Sequence, residues 1–282
     1  MLNVFRAQVY RLVRNRAFWG MLLLFGVIMV SAMTSIGQNY QGQGGFRNLQ
    51  RLVYEESGVT LDPDAYLGEG GVVYFLVPLV LLLVAVLFAD DVREGTVRGL
   101  AASPAFRRDY VLASVLTVGL VAGAFVAVAL AAVWAIIPRF PLLGIAWAPG
   151  RFLRWACQLV LIVSFYGMLT VAVAIATKRL VPTLVAAFLL GAGQVELLLA
   201  NGCVIVGQLM ELMGLSGLSG TAEAGSAIYE NLASLPGWLP AAQLQWMMGE
   251  GATPTVVEMV PAVLAVAAAV GLCLLVMRRR AL

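Results

Sequence analysis

Six long apolar runs, separated by polar or charged connections, set the pattern of this chain. They occupy residues 17–36, 72–89, 110–137, 155–177, 180–200 and 255–277. A helix needs about 20 mostly apolar residues to cross a hydrocarbon layer of about 30 Å, so each run predicts a membrane span. The third run is longer than that layer is thick and is expected to tilt or protrude. Pro182 falls in the first turn of the fifth span, where a missing N–H does no harm. Pro78 and Pro261 lie inside the second and sixth, where they predict local kinks. Basic residues precede the first run, as in a signal peptide, but the run is long, begins late and ends without an A-x-A site; it reads as a retained span.

The segments between the runs have their own patterns. In residues 1–16, Leu2, Phe5, Val9 and Leu12 recur at three- and four-residue steps, while Arg6, Arg11 and Arg14 fall largely off that stripe. This predicts an amphipathic helix lying in the membrane interface, although a plain basic flank of the first span would carry the same charges. Residues 38–70 are polar and glycine-rich, with only a trace of helical spacing around 46–56. Residues 201–251 open on an apolar stretch, 203–215, too short to cross and return, with Gly217 and Gly220 close behind. A re-entrant or interface-lying segment fits that length, and Trp238 and Trp246 suit an interfacial aromatic belt.

Basic residues orient the array. Arg6, Arg11, Arg14 and Arg16, the connection after span two (Arg93, Arg98, Arg107, Arg108), Lys178-Arg179 and Arg278-Arg279-Arg280 share one side. Only Arg47, Arg51, Arg139, Arg151 and Arg154 fall on the other, so both termini are expected in the cytoplasm.

Composition agrees and excludes several chemistries. Apolar residues make up 61% of the chain and charged residues 12%, a balance that belongs in a bilayer. A net charge of +3 is too small to argue for nucleic acid. The absence of histidine removes the commonest metal ligand and the commonest general base near neutral pH. Cys157, Cys203 and Cys273 are far apart in apolar surroundings and read as small core residues. The sole lysine, Lys178, has no P-loop around it, so no such ATPase site is present, and no H-E-x-x-H or paired intramembrane aspartates suggest an embedded enzyme. Arginine-for-lysine usage amid abundant Ala, Gly, Val and Leu is that of high-GC bacterial coding.

Inside the spans, Gln194 and Glu196 stand out in span five. A carboxylate at that depth is costly and faces protein or a water-filled cavity. It either lines a substrate path or is a structural group, protonated or paired with arginine. Gly119 and Gly123 form a small-xxx-small pair that predicts close helix contact, whereas Gln158, Ser164 and Thr170 are scattered as in any bundle.

The most specific sequence is the connection at 90–109. Glu94 and Arg98 are one helical turn apart, and Val97 and Leu100 offer apolar knobs. Ser103-Pro104 then marks a helix start, serine as N-cap and proline at the first helical position. Taken alone, these residues describe either a docking peg for a soluble partner or a solvated loop obeying the charge rule.

The series Arg93-Glu94-Gly95-Thr96-Val97, Leu100, Ser103-Pro104, Arg107 and Leu112 resembles permeases of the type-2 ABC exporter family. Members of that family often carry Gly-Lys where this chain has Ala113-Ser114. The resemblance implies an all-α membrane protein forming a single transmembrane domain over 1–282. Its parts would be six spans, an N-terminal interfacial helix, a cytoplasmic coupling helix between spans two and three, and a re-entrant external segment between spans five and six. It also implies an ABC ATP-binding subunit as partner, holding the ATP-Mg, with Glu94, Gly95, Thr96, Leu100 and Arg107 carrying the coupling. No catalytic, cofactor or metal site is implied in this chain, and a second permease copy or a related permease would complete the pathway. Residence in a bacterial cytoplasmic (inner) membrane follows, with a drug, a peptide or bacteriocin, a polysaccharide or a lipid-like amphipathic molecule as cargo. The alternatives are an ion-gradient-driven transporter, for which paired broken helices in two repeated halves are not visible, or a non-transporting membrane scaffold.

Overall fold

A computed structural model describes residues 2–38, 59–61, 67, 72–93, 104–140, 143–145, 149–191, 243 and 256–280. The chain starts with two helices, α1 (Leu2–Arg14) and α2 (Arg16–Gln38). The break between them has a local cause. Asn15 Oδ1 accepts a hydrogen bond from the Ala17 N–H at 2.8 Å, capping α2 where an unbroken helix would have run on. The amphipathic segment is thus a helix in its own right rather than a flank of the first span. Leu12 is buried and Phe5 and Val9 are half-buried, as the stripe predicts, but Leu2 points outward and the polar Gln8 takes a place on the buried face.

Four more long helices follow: α3 (Val72–Arg93), α4 (Pro104–Ile136), α5 (Pro149–Thr177) and, at the end, α7 (Val256–Arg280). Among the described residues, five helices (α2 to α5 and α7) are long and apolar enough to cross a membrane. The described part of the predicted fifth span is the apolar helix α6 (Leu180–Gly191); residues 192–200 lie outside the described residues. Several helices outrun their apolar windows. At 33 residues α4 is about 50 Å long, more than a bilayer core, and it begins at Pro104 as the proline signal predicts. Hydropathy marks only the dry part of a helix, and hydrogen bonding carries the backbone on into the interface.

The centre of the bundle is α5, which packs on α3, α4, α6 and α7. Its most apolar stretch is 67% buried, against 22% for α2 and α7, so these two are the outer helices. Leu23, Val27, Leu264 and Leu275 on them face outward. In a membrane such faces meet lipid or another helix and carry no penalty.

Close approaches occur where glycine removes a side chain. A Cβ on Gly191 of α6 would sit 2.7 Å from the Pro78 Cα of α3, so these backbones meet only because Gly191 has none. Gly167 of α5 likewise makes room for Val118 of α4. The pair predicted for this role does less. A Cβ at Gly119 would make ordinary contact with Ser164 and Val160, and one at Gly123 would meet nothing within 4 Å. Spacing within one helix does not reveal which face its neighbour occupies.

The cysteine expectation also divides. Cys273 is buried and its thiol donates to the Met168 carbonyl at 3.1 Å, joining α7 to α5, whereas Cys157 is exposed. Cys203 lies outside the described residues.

Two features were not predicted. Strand β1 (Val59–Leu61) pairs in parallel with β2 (Leu143–Ile145), joining the connection after α2 to that after α4. At three residues each, they are too short for an alternating pattern to register. Lys178, in the turn from α5 to α6, adopts φ 56°, a left-handed conformation that helix ends usually give to glycine. Its N–H closes the last turn of α5 onto the Ala174 carbonyl at 2.9 Å.

Candidate functional site

Of the residues singled out in the connection between α3 and α4, Glu94, Gly95, Thr96 and Leu100 lie outside the described residues, as do Ser103, Gln194 and Glu196. Arg107 is described; it is half-buried in the first turn of α4 and engaged by neighbouring groups. The structure does show what holds the two ends of that connection, and it is α1.

Asp91, near the end of α3, is almost fully buried and forms an ion pair with Arg11 of α1. Tyr110, near the start of α4, aims its hydroxyl at the other oxygen, Asp91 Oδ2, at 3.5 Å. The Phe88 ring stands edge-on to the Tyr110 ring with centroids 6.3 Å apart, so the two flanks of the connection also touch through apolar surface. Buried carboxylates persist when paired and hydrogen-bonded, and Asp91 has both kinds of support.

One turn earlier on α1, Gln8 is 8% exposed and spans to α4 with both ends of its amide. Nε2 donates to Ser114 Oγ at 3.3 Å, and Oε1 accepts from Thr117 Oγ1 at 2.8 Å. Ser114 Oγ in turn donates to the Tyr110 carbonyl at 2.8 Å, while Thr117 Oγ1 lies 2.9 Å from the Ala113 carbonyl and divides its single proton between two acceptors. Buried polar groups are retained when satisfied, and here satisfaction requires α1 to sit against α4 in one register. Ser114 stands in the dipeptide that departs from the Gly-Lys of the resembling family, and the structure gives it this use.

The aromatic residues of this region carry polar tips at the edge. Arg14 Nη1 donates to the Tyr10 hydroxyl at 2.6 Å with its guanidinium 5.4 Å from the ring centroid. Trp19 Nε1 donates to the Val13 carbonyl at 2.8 Å. Such residues mark membrane–water boundaries.

Mechanically, the arrangement is a clamp. The Arg11–Asp91 pair ties α3 to α1, and Gln8 ties α1 to α4. Among the described residues no group of three or more His, Cys, Asp or Glu converges for a metal. Sequence reasoning missed Gln8, Asp91, Tyr110 and Ser114 as one site. The available signals were a glutamine within an amphipathic stripe, an acid closing an apolar run, and Ser114 and Thr117 three residues apart on one helix face.

A second polar contact joins α5 to the 201–251 connection. Gln158 is buried and its Nε2 donates to Gln243 Oε1 at 2.7 Å.

A family model described as ABC-2 family transporter protein matches residues 2–214, from the start of α1 past the end of α6. No curated protein matches the chain. With most of its length inside that match and five helices fit to cross a bilayer, the chain belongs to the ABC-2 transporter family and is a multi-pass membrane permease of that class.

Proposed function

We propose that this chain is the membrane subunit of an ATP-driven exporter, with no ATPase site of its own, coupled to a separate ABC ATP-binding subunit through the connection 90–109. The observation that carries this reading is the clamp. A loop that receives force from a soluble motor needs stiff supports on both flanks, and Asp91 and Tyr110 tie those flanks to each other and to α1. Glu94, Gly95, Thr96, Leu100 and Arg107 are the proposed points of contact, and Gln194 and Glu196 are proposed to line the pathway. Two permeases, identical or related, would enclose it. Both termini lie in the cytoplasm of a bacterial cell by the distribution of arginine. The largely apolar helices favour a drug, a peptide or a lipid-like amphipathic cargo.

Affinity purification of the tagged chain from its native membrane tests the reading. An ATP-binding subunit should co-purify, Leu100→Glu should remove it, and Glu94→Ala should lower the ATP hydrolysis of the reconstituted complex. If no ATPase co-purifies, or if both substitutions leave hydrolysis unchanged, the coupling assignment is wrong.

A further inference from the structure

Beside the clamp, α1, α3 and α4 line an open cavity of about 360 Å³, within the usual size range of ligand sites. Its charged lining is of two kinds. Arg11 and Asp91 neutralise each other in their ion pair. Arg14 and Asp90 line the same cavity, and neither has an ion-pair partner among the described residues. Arg14 is nevertheless held in place by Tyr10, and this uses one of the five N–H groups of its guanidinium. The others remain for an anion. Leu87 and Phe88 also line it, so apolar surface accompanies the charges.

The depth of the cavity identifies the ligand class. Asp90 immediately follows the apolar run of α3, and Tyr10 and Trp19 lie exposed at the same end. This is the level of lipid headgroups. A single anion would meet Asp90 as a repulsive neighbour, and a single cation would meet Arg14. A group bearing both charges a few bonds apart satisfies the two residues together. We propose that the cavity binds the headgroup of a zwitterionic phospholipid with a primary ammonium, its phosphate on Arg14 and its ammonium on Asp90. An N–H-bearing ammonium is specified because a carboxylate gains charge-assisted hydrogen bonds from it, which a quaternary ammonium lacks.

Native mass spectrometry of the full-length chain, purified in detergent and exposed to equal amounts of phosphatidylethanolamine, phosphatidylcholine and phosphatidylglycerol, tests the site. The unaltered chain should retain phosphatidylethanolamine above the other two. Arg14→Ala should lower that retention about tenfold, the scale of one charge-assisted contact, and Arg14→Lys should restore part of it. Asp90→Asn should abolish the preference for phosphatidylethanolamine over phosphatidylglycerol. Unfolding temperature, followed in parallel, should be nearly unchanged in all three variants. Soluble phosphoethanolamine at millimolar concentration should fail to displace the lipid. Equal retention of the three lipids, indifference to both Arg14→Ala and Asp90→Asn, or complete displacement by the free headgroup would each overturn the proposal.

Discussion

Gln8 and Thr117 stand 109 positions apart in the chain, yet Thr117 Oγ1 lies 2.8 Å from the Gln8 side-chain oxygen. With the Gln8–Ser114 bond, this contact fixes the first helix against the third membrane-crossing one. Ser114 and Thr117 each have a backbone carbonyl four residues back as a second partner, so losing Gln8 strands neither hydroxyl. Gln8→Ala should therefore destabilise the folded chain by about 1–2 kcal/mol, the worth of two neutral hydrogen bonds plus a small void. Thermal unfolding in detergent, read by tryptophan fluorescence, checks the value.

The Arg11–Asp91 pair is lopsided: the arginine side chain is 43% exposed and the aspartate 11%. Solvent screens the arginine, so the pair's interaction energy should be near 1 kcal/mol, well short of a fully buried one. A double-mutant cycle with Arg11→Ala and Asp91→Asn measures it. Asp91→Ala should be the more damaging single change, because it also removes the acceptor for Tyr110 at a buried position.

Gly191→Ala places a methyl group 2.7 Å from the Pro78 backbone, which helix packing has no means to relieve without separating α3 from α6. A loss of about 1–3 kcal/mol is expected from this overpacking. Gly123→Ala, with nothing within 4 Å, should be neutral or stabilising by up to about 1 kcal/mol through helix propensity. Equal effects at the two positions would contradict the packing described.

Lys178 holds a left-handed conformation that strains any residue with a Cβ. Lys178→Gly should raise stability by about 0.5–1 kcal/mol, read as a higher unfolding temperature without change in helix content.

The parts of the fold carried by local composition were legible in the sequence. Each apolar run is helical over its described part, and proline at 104 marked the start of α4. Asn15, which separates α1 from α2, offered a cap signal too, but it is visible only when the amphipathic stripe is already suspected. Pairings between distant residues were not legible. Gln8 reads as an ordinary polar residue until α4 supplies Ser114 and Thr117, and Gly167 and Gly191 look no different from Gly119 and Gly123 until their neighbours are known. The site divides in the same way: a loop motif announced 90–109, while the clamp behind it depends on three helices meeting.

The parallel strands β1 and β2 bear on how the permease can move. At one end of the bundle α1 holds the foot of α4 and continues directly into α2. At the other end, the turn Ile137–Arg139 at the exit of α4 contacts α2, and β2 beyond it pairs with β1 in the connection that follows α2. A beam pinned at one end swings; a pair of beams pinned together at both ends leans only as a unit. The α2–α4 pair, braced at both ends, is therefore expected to move as a unit, with larger relative shifts at helices such as α7 that lack such bracing.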